Sequence, residues 1–267
     1  MKTCSEFRSR LPIIPSARLA FCAALLLSAV SPFAGCRLPG KPGEGPEVPR
    51  PEQITNFDTL YGSNCAGCHG VNGQNGSAMN LANPVYQGIV DDATLRDVIA
   101  GGEAGTLMPA FGAKQGGTLT DAQIDAIVTG MRARWNKGNV LAGQNAPAYK
   151  AAYAGDAAKG EQAYQTTCAQ CHEAAPQKPA QGGSIRDGSF LALVNEQTIR
   201  TTVIAGRPDL GMPDWRRLVK GRALTDDEIT DVTAWLMAQK PATPGQPYPG
   251  SGQMGPSRTP MPNPVKQ

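Results

Sequence analysis

The residues best suited to chemistry in this sequence form a pentapeptide of two cysteines and a histidine that occurs twice. It reads Cys65-Ala66-Gly67-Cys68-His69, and it returns 103 residues later as Cys168-Ala169-Gln170-Cys171-His172. Two thiols one helical turn apart can each add to a heme vinyl group as a thioether. The histidine that follows then lies under the iron as the proximal ligand. The repeat therefore predicts two covalent c-type hemes and two copies of one domain.

Two other kinds of site also use a C-x-x-C pair. A structural zinc site needs four ligands, and each copy of the motif offers two thiols and one imidazole. A thioredoxin-like disulfide needs a βαβ pattern around the motif, and strand-like alternation is absent there. Because neither alternative fits the residues around the motif, and because the motif occurs twice, heme attachment is the favoured interpretation.

The sixth ligand of each iron must come from a different residue type. The sequence contains two histidines, and both belong to the motifs, so bis-histidine ligation is impossible within one chain. Methionine thioether is the soft ligand that remains. Met108 and Met212 lie 104 residues apart at equivalent positions, each before a proline that disfavours helical dihedrals and predicts an extended loop. The alternative is a methionine that only covers an open iron as an apolar lid.

Helices must position these residues, and their signals recur in the same order in both halves. For the first half we predict a helix over 56–64, a Gly-rich loop over 70–76, an extended piece over 81–84, a helix from Asp91 or Asp92 to Gly101, and a helix over 121–135 capped by Thr120. In the second half, Thr198-Ile199-Arg200 matches Thr94-Leu95-Arg96. The offset stays between 103 and 105 residues throughout, which indicates duplication of one fold.

The predicted fold is therefore all-α, with two tandem domains each wrapped around one heme. The first domain covers 53–137, the linker 138–154 and the second domain 155–240. A tail over 241–267 is rich in proline and glycine, which is typical of a disordered extension. The formal net charge of +3 and the lack of a basic stripe give no indication of nucleic-acid binding.

The first 35 residues are predicted to be a signal peptide. Three arginines precede an apolar run over 19–30, whose twelve residues are too few for a membrane span. Phe33-Ala34-Gly35-Cys36 resembles the lipobox of bacterial lipoproteins, which predicts lipidation of Cys36 and a tether over 36–52. The alternative is an ordinary secretory peptide with cleavage nearby. Both interpretations predict export, and the lipobox places the protein on the periplasmic side of a bacterial membrane.

The seven cysteines are all accounted for by these predictions. Cys4 and Cys22 leave with the signal peptide, Cys36 takes the lipid, and the remaining four hold the hemes. No thiol is left for a disulfide, although small exported domains often need one. A covalently held porphyrin would supply the missing core of each domain.

These motifs resemble those of class I cytochrome c domains, and most of all the diheme subunits of cbb-type heme-copper oxidases. The resemblance covers about residues 53–240 and implies two covalent hemes c, a proximal histidine and a distal methionine at each iron, and one-electron transfer. It also implies redox partners such as a respiratory dehydrogenase, a quinol oxidoreductase or a terminal oxidase. Those oxidase subunits are usually held by a transmembrane helix, which this sequence does not display.

Closed His/Met coordination predicts an electron carrier rather than an enzyme. A diheme peroxidase or sulfur-compound dehydrogenase is the alternative, and it needs one iron with a displaceable ligand. A heme-based sensor would need an output domain, and none accompanies the motifs. The two methionine loops also differ in charge, with Arg207 and Asp209 in the second and Glu103 and Lys114 in the first. We therefore expect the two hemes to have unequal reduction potentials.

Overall fold

A computed structural model describes residue 45, residues 47–173 and residues 180–242. Residues Arg50–Gln267 belong to one compact unit, which contains both halves of the duplication. The predicted signal peptide, Cys36, most of the tether and the tail beyond residue 242 lie outside the described residues. Within the described ranges the regular elements are helices, and extended pairing is confined to isolated bridges. This agrees with the all-α prediction.

The first half contains the predicted helices, with the predicted caps at Asp91 and Thr120 and an additional cap at Asn56, which we expected to be the first helical residue. The Asn56 and Asp91 side chains accept hydrogen bonds from N–H groups of the first turn, and Thr120 forms a capping box with Gln123. The helices are α1 (Phe57–Asn64), α2 (Ala66–His69), α3 (Pro84–Ile89), α4 (Asp92–Gly101) and α5 (Asp121–Trp135), with 3-10 turns at Pro51–Gln53 and Ala113–Gln115.

The second half repeats this order of helices. Its last helix begins with the same capping device, in which Thr225 pairs with Glu228. The helices are α6 (Ala157–Thr167), α7 (Ala169–His172), α8 (Gly188–Ala192), α9 (Glu196–Ala205) and α10 (Asp226–Ala238), with a 3-10 turn at Pro208–Leu210.

In each half a glycine lies at the closest approach of the first and last helices, against the Phe57 ring in the first half and against the Asp231 backbone in the second. A Cβ on Gly130 of α5 would lie 2.2 Å from the Phe57 ring of α1. In the second half the glycine lies on the first helix, and a Cβ on Gly160 of α6 would lie 2.7 Å from the Cβ of Trp235 on α10. The absence of a side chain at these positions allows the helices to approach closely.

One element differs from its predicted form. We expected residues 81–84 to be extended, and the chain is non-helical through Asn83, but Pro84 already opens helix α3. The Asn83 side chain caps the helix and proline occupies its first position, where its missing N–H costs nothing. Helix α8 is the counterpart in the second half, capped by Asp187.

The segment between the two halves, residues 138–154, is non-helical and packed. Leu141, Ala146 and Tyr149 lie against the hydrophobic core. The buried guanidinium of Arg200 donates to the carbonyls of Ala148 and Tyr149, at 2.8 and 3.2 Å. The segment is therefore fastened to helix α9 of the second half.

Candidate heme sites

Each Cys-x-x-Cys-His motif lies on a single helical turn that directly follows the first helix of its half. In the first half the N–H groups of Cys68 and His69 donate to the Cys65 carbonyl at 3.2 and 3.0 Å. In the second half Cys171 and His172 donate to the Cys168 carbonyl at 3.1 and 3.0 Å. Both thiols and the imidazole of each motif are thus held on one turn, as the sequence predicted.

A backbone carbonyl orients each histidine ring. Nδ1 of His69 lies 2.8 Å from the Met79 carbonyl, and Nδ1 of His172 lies 2.8 Å from the Gly183 carbonyl. Because a carbonyl can only accept, each Nδ1 carries the proton, and Nε2 keeps its lone pair for a metal. Histidines that bind metals usually have such a partner, which fixes their tautomer and orientation.

Burial and charge also favour the neutral form of His69. Burial lowers the pKa of His69, the bond to Met79 partly opposes this, and the positive charge of Arg207 lowers it further. A ligating histidine must be neutral at the nitrogen that binds the metal. The charge that reaches His69 comes from the other half of the duplication.

Tightly packed glycines hold the loop that follows each motif against its histidine. A Cβ on Gly76 would lie 2.2 Å from the Cys68 carbonyl oxygen, and one on Gly182 would lie 2.9 Å from the His172 ring. Neither glycine was singled out as a site residue from the sequence, because a Gly-rich stretch signals a loop without showing what it approaches. These positions leave no room for a side chain beside the proximal ligand.

The first cysteine of each motif has a pKa shifted away from that of a redox-active thiol. No disulfide is present among the described residues, where Cys65, Cys68, Cys168 and Cys171 are free. Burial raises the pKa of Cys65 to about 11 and also raises the pKa of Cys168. Catalytic C-x-x-C thiols have the opposite property, a lowered pKa. Nor do the described residues contain a cluster of three or more His, Cys, Asp or Glu side chains able to hold a metal ion.

The donor set and its surroundings fit a covalent heme. Each motif supplies two thiols for thioether bonds and one neutral, oriented imidazole. Gly182 packs on the His172 ring, and Gly76 packs on the backbone of Cys68 and His69. The same residues match neither the ligand number of zinc nor the thiol chemistry of a disulfide oxidoreductase.

The predicted sixth ligands lie in two loops with the same backbone fold. Gly102 and Gly206 directly follow helices α4 and α9, and their φ and ψ values, near +70° and 180°, are almost exclusive to glycine. A Cβ on Gly102 would lie 2.7 Å from the Met108 carbonyl oxygen, and one on Gly206 would lie 2.6 Å from the Pro213 carbonyl carbon. Each Met-Pro segment therefore returns directly against the end of the preceding helix.

Backbone hydrogen bonds close both of these loops. The Glu103 N–H donates to the Met108 carbonyl at 3.1 Å, and the Arg207 N–H donates to the Met212 carbonyl at 2.9 Å. Both methionines are half-buried, and Met108 packs against the hydrophobic core. Their ligation of iron stays a prediction. Cys36, the predicted lipidation site, lies outside the described residues.

A comparison with protein families identifies the duplicated domain. The family described as cytochrome c oxidase, cbb3-type, subunit III, matches residues 52–129 and again residues 155–236. Together the two matches cover more than half of the chain. The chain belongs to this family. Membership of the cbb3-type subunit III family confirms the predicted pair of tandem cytochrome c domains, with heme as their cofactor and electron transfer as their role.

A curated member of the cbb3-type group is also similar to this chain. The cbb3-type cytochrome c oxidase subunit CcoP of Azospirillum sp. (strain B510) is 29% identical over an alignment of 182 positions, which covers 60% of this chain and 54% of that protein. The chain thus matches about half the length of this relative. In the part that the structure describes, no helix is both long and apolar enough to cross a membrane.

Proposed function

We propose that this cytochrome carries electrons through two covalent hemes c, each closed by a histidine and a methionine. The thioether bonds come from the motif cysteines, and the sixth ligands come from the Met-Pro loops. The first heme takes Cys65, Cys68, His69 and Met108, and the second takes Cys168, Cys171, His172 and Met212.

The observation that carries this proposal is the paired orientation of the two histidines. Each histidine directly follows its cysteine pair on the same turn, and its ring donates the Nδ1 proton to a loop carbonyl. This leaves Nε2 of both His69 and His172 as a metal ligand of fixed direction. The two loops share few residues, yet each places a carbonyl 2.8 Å from the Nδ1 atom of its histidine. This agreement supports the same role for the hydrogen bond in both halves.

Closed coordination explains why the protein would act as a carrier rather than an enzyme. Heme c supplies a reversible one-electron couple when it is bound. Met108 and Met212 lie on loops that backbone hydrogen bonds from Glu103 and Arg207 close. With a sulfur on each iron, no vacant position is left for a substrate. Methionine ligation also raises the reduction potential relative to a second histidine.

The partners are redox proteins of a respiratory chain. The similarity to a cbb3-type oxidase subunit supports a place beside a terminal oxidase, with electrons supplied by a dehydrogenase or a quinol oxidoreductase. We also propose that Cys36 is lipidated and holds the protein on the periplasmic side of the membrane. The proline- and glycine-rich segment before residue 53 then separates the first domain from the lipid surface.

Carbon monoxide tests whether both irons are closed. We expect the optical spectrum of the reduced protein to be unchanged by carbon monoxide. The Met108→Ala and Met212→Ala variants should each gain a carbon monoxide shift equal to one heme. Met79→Leu is the matched control, because it changes a methionine beside His69 but keeps the backbone carbonyl that orients the ring.

A carbon monoxide shift in the wild-type protein would contradict the carrier function and favour a diheme enzyme. Covalent attachment has its own measurement, the heme content that remains after denaturation. We expect two hemes per wild-type chain and one in the Cys168→Ser, Cys171→Ser double variant. The lipid anchor predicts that Cys36→Ser moves the protein from the membrane fraction to the soluble fraction.

A further inference from the structure

The second Met-Pro loop carries a buried ion pair with no equivalent in the first. Arg207 donates to the carboxylate of Asp209 through Nε and Nη2, at 3.1 and 2.9 Å. The two side chains are 11% and 2% exposed. At the corresponding position, directly after the helix-ending glycine, the first loop has Glu103 in place of Arg207.

This ion pair bonds to the loop behind His69 in the first domain. Nη2 of Arg207 also donates to the Gly76 carbonyl at 2.8 Å. The N–H of Asn75 donates to Asp209 Oδ2 at 2.9 Å, from a residue whose φ of 61° lies in the left-handed region that asparagine tolerates. Both members of the pair are therefore fastened to the first domain.

The loop that receives these bonds is in direct contact with the first heme motif. A Cβ on Gly76 would lie 2.2 Å from the Cys68 carbonyl oxygen and 2.6 Å from the His69 carbonyl carbon. Arg207 therefore bonds to Gly76, and Gly76 in turn packs on the peptide between Cys68 and His69. The second domain supplies the positive charge of Arg207 to the first domain's site.

We propose that the Arg207–Asp209 pair sets the reduction potential of the first heme from within the second domain. This rests on the proposed function, because it requires a heme on Cys65 and Cys68. One-electron reduction makes the heme more negative without making or breaking a bond. A nearby positive charge favours the reduced form and a negative charge favours the oxidised form. Arg207 therefore raises the potential, and Asp209 limits that rise.

Because Arg207 and Asp209 are buried, their charges act on the first heme with little screening by water. Charges screened by little water interact several-fold more strongly than exposed ones. Screening by salt is also weak for buried pairs. Removing either partner leaves the other charge unpaired beside the heme loop, so the two substitutions must act in opposite directions. If the pair had only a structural role, there would be no reason for the two substitutions to shift the reduction potential of the first heme in opposite directions.

The test is a redox titration of the full-length protein with chemical mediators and a reductant. A Met212→His background separates the two hemes, since it replaces the methionine that raises the second heme's potential. In that background, Arg207→Gln should lower the ratio of reduced to oxidised first heme about three- to tenfold at fixed potential. Tenfold corresponds to about 59 mV for one electron. Asp209→Asn should raise the ratio by a similar factor.

Two further variants keep the test decisive where a single substitution disturbs folding. Arg207→Lys retains the charge and should keep most of the first heme's potential. The double variant Arg207→Gln, Asp209→Asn removes both charges and should return close to wild type. Arg222→Gln is the matched control. It breaks a two-bonded arginine–carboxylate pair with Glu228 in the same domain, and it should leave the first heme unchanged.

Three results would overturn the proposal. They are shifts of the same sign in the two single variants, shifts confined to the second heme, or a first heme that moves in neither variant. A wild-type protein with no reversible redox steps would refute the proposed function itself, and the tuning with it. Two reversible wild-type steps with an unmoved first heme would refute the tuning alone.

Discussion

The first domain packs an aromatic ring of its first helix on a glycine of its last helix, whereas the second domain has the glycine on its first helix and packs it on the backbone of its last. The Phe57 ring lies against Gly130 in one, and in the other Gly160 lies against the Asp231 carbonyl and the Cβ of Trp235. An arginine lies over each of these rings, Arg134 over Phe57 at 4.8 Å and Arg186 over Trp235 at 5.3 Å. The crossing of the two helices is thus retained while the glycine lies on a different helix in each domain. What the duplication preserves is the close approach, not the residues that produce it.

The two domains also differ at one equivalent arginine, which in the second domain bonds to the segment between the domains. Arg96 and Arg200 are equivalent, yet Arg96 forms an exposed pair with Asp125, and Arg200 is buried among the 138–154 segment, Thr230 and Asp226. The first domain keeps a version of this position that contributes little beyond a surface contact. The second domain uses the same position to fasten the segment between the domains.

The equivalent arginines give the largest expected contrast in stability. Arg200→Gln should lower the free energy of unfolding by about 2–3 kcal/mol, because it removes a buried guanidinium from the Tyr149 carbonyl and the buried Thr230 hydroxyl, while the partly exposed Asp226 carboxylate stays hydrated. Arg96→Gln should lower it by about 0.5 kcal/mol or less, since the Arg96 and Asp125 side chains are 41% and 54% exposed. Urea unfolding of the two variants measures the difference.

Equal effects of these two substitutions would contradict the distinct roles assigned to them. The Arg200 variant should in addition make the 138–154 segment more sensitive to limited proteolysis. The Arg96 variant should not, because Arg96 makes its ion pair with helix α5 of its own domain.

The features predicted from the sequence are those with a local signal. The heme motifs follow from five consecutive residues, and the helix starts at Asp91 and Thr120 follow from capping residues next to apolar periodicity. The equivalence of the two halves needed only a constant offset. Helix α3 also had a local signal that was missed, because Asn-Pro is a typical helix start.

The contacts between the domains had no such signal. Asn83 meets the Ala205 carbonyl across 122 residues of sequence, and Arg207 meets Gly76 across 131. Nothing within either segment indicates that they are neighbours, since each polar residue also has a plausible local role. The charge difference between Glu103 and Arg207 was visible in the sequence, but not that Arg207 lies behind the other domain's histidine. That placement is a property of the tertiary fold alone.

The two cap residues of helices α3 and α8 sharpen the comparison further. Oδ1 of Asn83 caps α3 while Nδ2 donates to the Ala205 carbonyl of the second domain at 2.7 Å. Asn83→Asp keeps the cap but turns a buried donor toward that carbonyl into an acceptor, which should cost about 2–3 kcal/mol in unfolding free energy. Asp187→Asn exchanges the same residue types at the cap of α8 and should change stability by about 0.5 kcal/mol or less.

Asn83→Asp and Asp187→Asn exchange the same two residue types at a helix N-cap. A difference between their effects on stability therefore cannot come from capping preference. Thermal or urea unfolding supplies the numbers, and hydrogen exchange locates the loss. We expect faster exchange in the Asn83 variant at both α3 and the end of α9. If exchange increases only in α3, the bond to Ala205 contributes nothing measurable, and the contact between the domains depends on the Arg207–Asp209 pair and on the bonds from Asn195 to Glu103 and Ala104.

Acid should weaken that pair while leaving the Asn83 contact intact. The Arg207 guanidinium holds the pKa of Asp209 well below its ordinary value, and the Asn75 N–H adds to this effect against the opposing influence of burial. A carboxyl whose pKa is lowered by folding stabilises the folded state above its unfolded pKa, near 4. That stabilisation is lost as the pH falls further toward the folded pKa.

Wild type should therefore exceed Asp209→Asn by about 1–2 kcal/mol in unfolding free energy at pH 6, and this advantage should shrink as the pH is lowered below about 4. Glu228→Gln is the natural comparison, because Arg222 likewise lowers the pKa of Glu228 but this pair lies within the second domain and is more exposed. Its advantage at pH 6 should be about 0.5 kcal/mol. If the two carboxylates contribute equally to the unfolding free energy, then burial between the domains does not strengthen the Arg207–Asp209 pair. In that case the pair does not supply the energy that would hold Arg207 in place beside the loop that follows His69.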